Sequence, residues 1–134
     1  MQITRATDAA LRVLMVLAAG PERQVTVREL AEELSVPRQH LAKVVQSLAR
    51  HEWVATTRGR AGGLSITEAG RRVTAGVVVR ALEGITPVVN CYEPLCPLVA
   101  AGCRLQGLLG DAQNAFLREL DSRTIADLAG SPPD

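Results

Sequence analysis

A chain of 134 residues, 47% hydrophobic and 22% charged, fits one compact domain, with room for an appended dimer-forming segment, and is too apolar for a disordered tail. Its three aromatic residues, Trp53, Tyr92 and Phe116, demand an aliphatic core and exclude a single-strand-binding surface built from stacked rings. The net charge of +1 conceals a split: residues 1–80 carry twelve Lys/Arg against seven Asp/Glu (+5), and residues 81–134 carry three against seven (−4), so the first part points at a polyanion.

Residues 7–19 read as a helix, with Thr7 as N-cap and apolar side chains at 11, 14, 15 and 18, ended by Gly20 and Pro21. The apolar run from Val13 to Ala19 is far short of a membrane span, and the acidic Asp8 spoils the positive start of an export signal. The expectation is a cytoplasmic protein with no membrane partner. Thr26-Val27-Arg28-Glu29 has the form of a capping box and opens a short helix to about Leu34. After a turn at Ser35 and Val36, Pro37 presets the next helix, which runs to about Arg50 with Leu41, Val44, Val45 and Leu48 inward. Two helices joined by so short a turn, the second one basic, form a helix-turn-helix candidate.

Residues 53–57 and 64–67 are β-prone, and Arg58-Gly59-Arg60-Ala61-Gly62-Gly63 between them makes a hairpin tip with two arginines. A phosphate-cradling loop is the competing reading of these glycines. It lacks both the strand-loop-helix setting and the Lys-Ser/Thr pair that chemistry needs. A helix over 74–83 ends at Gly84, and residues 85–102, with Pro87, Pro94 and Pro97, read as irregular. From Cys103 to Leu120 the apolar positions 105, 108, 109, 112, 116 and 120 keep helical spacing, and residues 124–128 form a short segment that can pack back on the body. The fold expected is mainly α with a small β-wing. A winged helix-turn-helix DNA-binding domain spans 1–83, and a cysteine-bearing loop with a long dimerisation helix spans 84–134.

Arg38, Gln39, His40 and Lys43 fall in the first two turns of the candidate recognition helix, where side chains meet base edges and phosphates. Gln39 suits bidentate bonding to adenine, and Lys43 suits a phosphate. Arg58 and Arg60 at the wing tip are placed for an adjacent minor groove, whose narrow A·T tracts concentrate negative potential. The expected partner is a palindromic, A·T-rich duplex read by a homodimer. Nucleophile, base and orienting group nowhere stand together in a recognisable motif, so no enzyme is expected.

Three cysteines cannot all pair within one chain. Cys91, Cys96 and Cys103 congregate in a proline-bearing polar loop, which core packing does not explain. Zinc usually asks for CxxC knuckles and a fourth ligand, whereas an iron-sulfur cluster accepts looser spacing, since each iron takes its own thiolate. Three thiolates leave one iron to another, more labile ligand.

The start MQITRATDAALR, the wing RGRAGG, the helix VVRALEG, the loop VNC…C…CRL and the closing LDSRTIADL together resemble the NsrR family of nitric-oxide-sensing iron-sulfur repressors, within the wider family that includes IscR. The likeness covers nearly the whole chain. It implies a homodimeric winged-helix repressor that binds DNA with its cluster intact and releases DNA when nitric oxide attacks the cluster. It also implies a 4Fe-4S cluster in which an aspartate of the partner's first helix completes the ligand set. Asp8 stands at that position here, and the alternative for Asp8 is an ordinary i,i+4 pair with Arg12. Cys103 falls one residue later than in that family, with the small Ala100, Ala101 and Gly102 before it. The IscR-like branch carries a histidine after its last cysteine; Gln106 occupies that place, which disfavours a histidine-ligated 2Fe-2S site. Two other functions compete: a regulator of the same family responding to oxygen or cluster supply, and, from another class, a cluster carrier or electron-transfer protein. The second leaves the wing arginines without a role.

Overall fold

Helix α1 (Arg5–Ala19) is the central rod of the computed structural model, which describes residues 2–59 and 62–130. Ala9, Ala10, Val13, Leu14, Leu17 and Ala18 are buried, and their spacing of three and four residues turns one continuous apolar face inward. The helix begins two residues before the expected Thr7. Thr4 is the N-cap: its backbone is extended and its hydroxyl accepts from the Thr7 N–H at 3.2 Å. Thr7 is fully buried in the first turn, its hydroxyl oxygen accepting from the Thr4 hydroxyl at 3.1 Å.

Helix α2 (Val27–Leu34) is capped by Thr26, which accepts from the Glu29 N–H at 3.1 Å. The return half of the expected capping box goes elsewhere, because the Glu29 carboxylate accepts from the Thr26 hydroxyl at 3.0 Å. Ser35 takes the left-handed conformation (φ 55°) that ends the helix, and the Val36 N–H bonds the Ala31 carbonyl at 3.0 Å. Pro37 then presets the entry to α3 (Arg38–Arg50), which buries Leu41, Val44, Val45 and Leu48 as their spacing predicts.

The wing is an antiparallel pair, β1 (Val54–Thr57) with β2 (Gly63–Ile66), in register from Val54 opposite Ile66 to Thr57 opposite Gly63. Val25 adds one rung, exchanging hydrogen bonds of 2.9 and 2.7 Å with Leu64. A side chain at Gly62 would overlap the Thr57 carbonyl oxygen, so the hairpin returns only through glycine there. A short helix the sequence reading did not anticipate, α4 (Glu68–Arg72), follows. Its cap Thr67 accepts from the Gly70 N–H at 2.9 Å and donates to the Glu52 carbonyl at 2.7 Å, pinning the end of the wing to the end of α3.

Helix α5 (Ala75–Glu83) ends at Gly84, whose φ of 64° suits glycine. After the irregular loop comes α6 (Leu105–Asp121), beginning two residues later than expected, and then α7 (Ile125–Ala129). Helix α6 leans on α5, and Arg80 grips Asp121 with two bonds of 2.6 and 2.8 Å. A side chain at Gly76 would overlap that carboxylate, so glycine sets how closely α5 and α6 approach. The chain then folds back as the 124–128 segment anticipates: Ile125 is fully buried, α7 packs on α1, and the Ile125 N–H bonds the Val73 carbonyl at 2.8 Å. The outcome is the mainly helical winged architecture expected. Among the described residues, no helix is long and apolar enough to cross a membrane.

Candidate nucleic-acid interface and cysteine loop

Because the apolar face of α3 is committed to the core, its other face is free. Arg38, Gln39 and Lys43 are exposed there. Gln46 and Arg50, not singled out from the sequence, continue the row at positions 39, 43, 46 and 50, a spacing that places them on one face. The signal was present in the sequence, since the inward residues already fix which face remains. Arg58 is exposed where β1 ends, next to Gly59 with its φ of 110°. Arg60 lies outside the described residues.

His40 is placed differently from its neighbours. It is half-buried, and its Nε2 is buried without a hydrogen-bond partner. It lines a groove of about 470 Å³ with Arg5, Asp8 and Arg12 of α1 and the turn Leu34 to Pro37. It also lines a second one of about 230 Å³ with Ala6 and Ala10 of α1, Ser47 of α3 and Leu82 of α5.

Asp8 is on the exposed side of α1, where its carboxylate accepts from Arg12 Nε at 2.8 Å. Both side chains are at least half exposed, so the pair contributes only a few tenths of a kcal/mol. The groove it lines runs to the helix-turn-helix turn and includes none of the three cysteines.

The cysteine loop is shaped by backbone turns. The Asn90 carboxamide oxygen accepts from the N–H groups of Tyr92 and Glu93, both at 3.0 Å, and the Cys96 N–H bonds the Cys91 carbonyl at 2.8 Å. A second turn follows: the Val99 N–H bonds the Cys96 carbonyl at 3.1 Å, the Cys103 N–H bonds the Leu98 carbonyl at 3.2 Å, and Gly102 has φ 75°. Gln113 of α6 donates to the Thr86 carbonyl and fastens the start of the loop. Cys91, Cys96 and Cys103 are all free thiols of intermediate exposure. Three soft donors in one short, turn-rich loop suit iron held through thiolates, one thiolate to an iron. Within a single chain, no three Cys, His, Asp or Glu side chains converge into a metal-holding group among the described residues. In one chain, then, neither the three cysteines by themselves nor the cysteines with Asp8 are gathered into one metal-holding group among the described residues.

Beside the loop lies an apolar surface. Val77, Ile85, Val88, Val89, Leu105 and Leu108 are exposed, and Leu117 is the one residue of α6 that is buried. Large aliphatic side chains left exposed in such number are a feature of association surfaces.

Comparison with known proteins agrees with this architecture. The Rrf2 family model, an iron-dependent transcriptional regulator, matches residues 3–131. The chain is 45% identical over 135 residues to the HTH-type transcriptional repressor NsrR of Streptomyces coelicolor, an alignment covering 98% of this chain and 90% of that protein. Among solved structures, CymR, the global cysteine regulator of B. subtilis, is 26% identical with a TM-score of 0.77, covering 96% of each chain. The oxidised form of Staphylococcus aureus CymR shares the fold at 23% identity, with a TM-score of 0.78 and full coverage of both chains. T. potens IscR shares it at 19% identity with a TM-score of 0.73, covering 96% of this chain and 85% of that one.

Proposed function

The chain belongs to the Rrf2 family of transcriptional regulators, and from that premise we propose that it is a homodimeric repressor that holds an iron-sulfur cluster and leaves DNA in response to nitric oxide. The observation that carries this reading is a joint one. A winged helix with a free polar and basic face is joined, through α5, to a loop bearing three free, part-exposed thiols, in a chain 45% identical to a repressor named NsrR.

On the DNA side, Gln39 supplies base discrimination, Arg38 and Lys43 supply positive charge at the groove edges, and Arg58 reaches from the wing. Arg60 is proposed to act beside it. A palindromic, A·T-rich operator fits two such units related by a two-fold axis. The exposed aliphatic surface of α5, α6 and the loop is the proposed contact between the two copies.

On the sensor side, Cys91, Cys96 and Cys103 are the proposed thiolate ligands of a cluster, with 4Fe-4S favoured over 2Fe-2S. When bound, such a cluster supplies iron sites that react with nitric oxide. Asp8 of the second copy is the proposed fourth ligand. Its carboxylate is a hard donor, easily displaced from iron, and Arg12 is already in place to hold it once it is free. Because Asp8 shares a groove with the helix-turn-helix turn, a change in what it holds is felt beside the recognition helix.

Anaerobically purified protein tests this reading. Its absorption spectrum and native mass should report a cluster and a dimer, and loaded protein should retard its own promoter fragment more strongly than protein stripped of iron by a chelator. Equal retardation by both forms would overturn the proposal. Release by oxygen or peroxide with indifference to nitric oxide would move the signal to a different class, and failure to retard any DNA would favour a cluster carrier.

A further inference from the structure

His40 stands among the polar residues at the start of the recognition helix, yet its surroundings set it apart. The far end of the imidazole, Nε2, is the atom a base-reading histidine would present to a groove floor, and here that atom is buried. It has no hydrogen-bond partner, so it carries a desolvation cost with no compensating bond. Arg38, Gln39 and Lys43, by contrast, are exposed.

The elements around His40 are the two that lead to the sensor. Ala6 and Ala10 come from α1, the helix that carries Asp8. Leu82 comes from the last turn of α5, two residues before the positive-φ Gly84 that opens the cysteine loop. The small Ala6 and Ala10 leave a groove of about 230 Å³ beside the ring on this side. On the other side lie Arg5, Asp8 and Arg12 with the helix-turn-helix turn. His40 lines both grooves while its buried ring nitrogen lacks a partner, so a small shift of α1 or of the α5 end changes what the ring meets. Contacts with two available arrangements are the ones that convert a local shift into a discrete movement of a packed element.

We infer that His40 is a positioning residue, through which the placement of α1 and of the end of α5 sets the recognition helix, and that it does not read bases. The coupling to cluster state rests on the proposed function; the absence of base reading does not.

The test uses the full-length dimer with His40→Ala, His40→Gln and Leu82→Ala. Two quantities are measured for each: the base preference at every operator position, from selection on a randomised duplex pool, and the affinity ratio between cluster-loaded and cluster-free protein. For His40→Ala the expected result is an unchanged preference profile and a ratio narrowed by about fivefold or more. His40→Gln, which keeps a polar end, should recover part of the ratio, and Leu82→Ala should narrow it from the other side of the groove. Lost preference at one base pair would make His40 a reader and overturn the inference. So would an equal loss of affinity in both states with the ratio intact, which is what a merely structural role gives. Should His40→Ala fail to fold by circular dichroism, the glutamine and Leu82 variants decide by the same criteria. Wild-type protein with equal affinities in both states would remove the cluster reading and the positioning role with it; an altered preference profile in the His40 variants would then overturn the absence of base reading as well, and an unaltered one would uphold it.

Discussion

Gln39 and Lys43 are both exposed on the first turns of α3, so neither owes its place to the core, and their chemistry separates their roles. A carboxamide that bonds adenine in bidentate fashion discriminates by about 1–3 kcal/mol, so Gln39→Ala should relax preference at one operator position in each half-site. An ammonium on a phosphate carries no sequence information. Lys43→Ala should weaken binding to all duplexes alike and lower the slope of log affinity against log salt by about 0.9. Fluorescence anisotropy on a panel of operator variants at several salt concentrations measures both. Asp8 gives a second prediction at this scale. In Asp8→Ala the visible spectrum of the loaded protein should change, and its reaction with nitric oxide should alter in rate; an identical spectrum and identical kinetics would leave Asp8 as nothing more than the partner of Arg12 seen at 2.8 Å. The placement of Gln39, Lys43 and Asp8 away from the core was legible in the sequence, because the regular apolar spacing of their helices fixes which face remains. The buried Nε2 of His40 was not legible, because it is set by tertiary packing, and the groove beside the ring is lined by Ala6, Ala10 and Leu82 from distant parts of the chain.

Helices were read well from the sequence where capping and periodicity agree, as in α3, whose four inward residues are the four that are buried. The misses have local causes. Thr4 and Thr7 are both able to cap α1, and the choice of Thr4 is made by tertiary packing that buries Thr7 completely and by the bond of the Thr4 N–H to the Glu83 carboxylate. Helix α4 is only five residues long and has no room for a periodic signal; it exists because Thr67 caps it and ties it to Glu52. Helix α7 is equally short, and a full capping box between Thr124 and Asp127 compensates. Thr124→Ala should therefore cost about 1 kcal/mol in urea denaturation and loosen the hold of the buried Ile125 on α1. The joint between α5 and α6 has a pH signature. The Arg80 guanidinium, by hydrogen bonding to Asp121, holds that carboxyl below its ordinary range. A depressed folded-state value gives stability that is present above the unfolded-state value, near pH 4, and is lost as pH falls below it. Asp121→Asn should flatten the acid side of the melting-temperature profile below about pH 4 and leave its shape near neutrality unchanged, as followed by circular dichroism.

Across the whole molecule, the near-neutral total divides into a basic reader of +5 over residues 1–80 and an acidic remainder of −4 over residues 81–134. The division follows the architecture. The winged helix occupies the basic part, and the cysteine loop, the long helix α6 and all of the exposed aliphatic surface but Val77 occupy the acidic part. In the proposed dimer, repulsion between this negative charge and phosphate keeps the second part off the DNA and leaves its apolar face for another copy of the chain. Architecture at this scale was legible in the sequence because helix, turn, helix and hairpin are local patterns in the chain. The convergence of ligands was not, since no three Cys, His, Asp or Glu side chains gather into a metal-holding group among the described residues, and the proposed set draws on two copies of the chain. Central to the proposed function is that the DNA-binding part responds to the cysteine loop. The most direct measurement is the affinity of the anaerobic, cluster-loaded dimer for its own promoter while nitric oxide is titrated in, with oxygen and peroxide titrated in parallel. DNA binding should be lost in step with the loss of the cluster's visible absorption, at nitric oxide amounts near stoichiometric with the cluster. Bleaching of that absorption by nitric oxide with DNA affinity unchanged would contradict it.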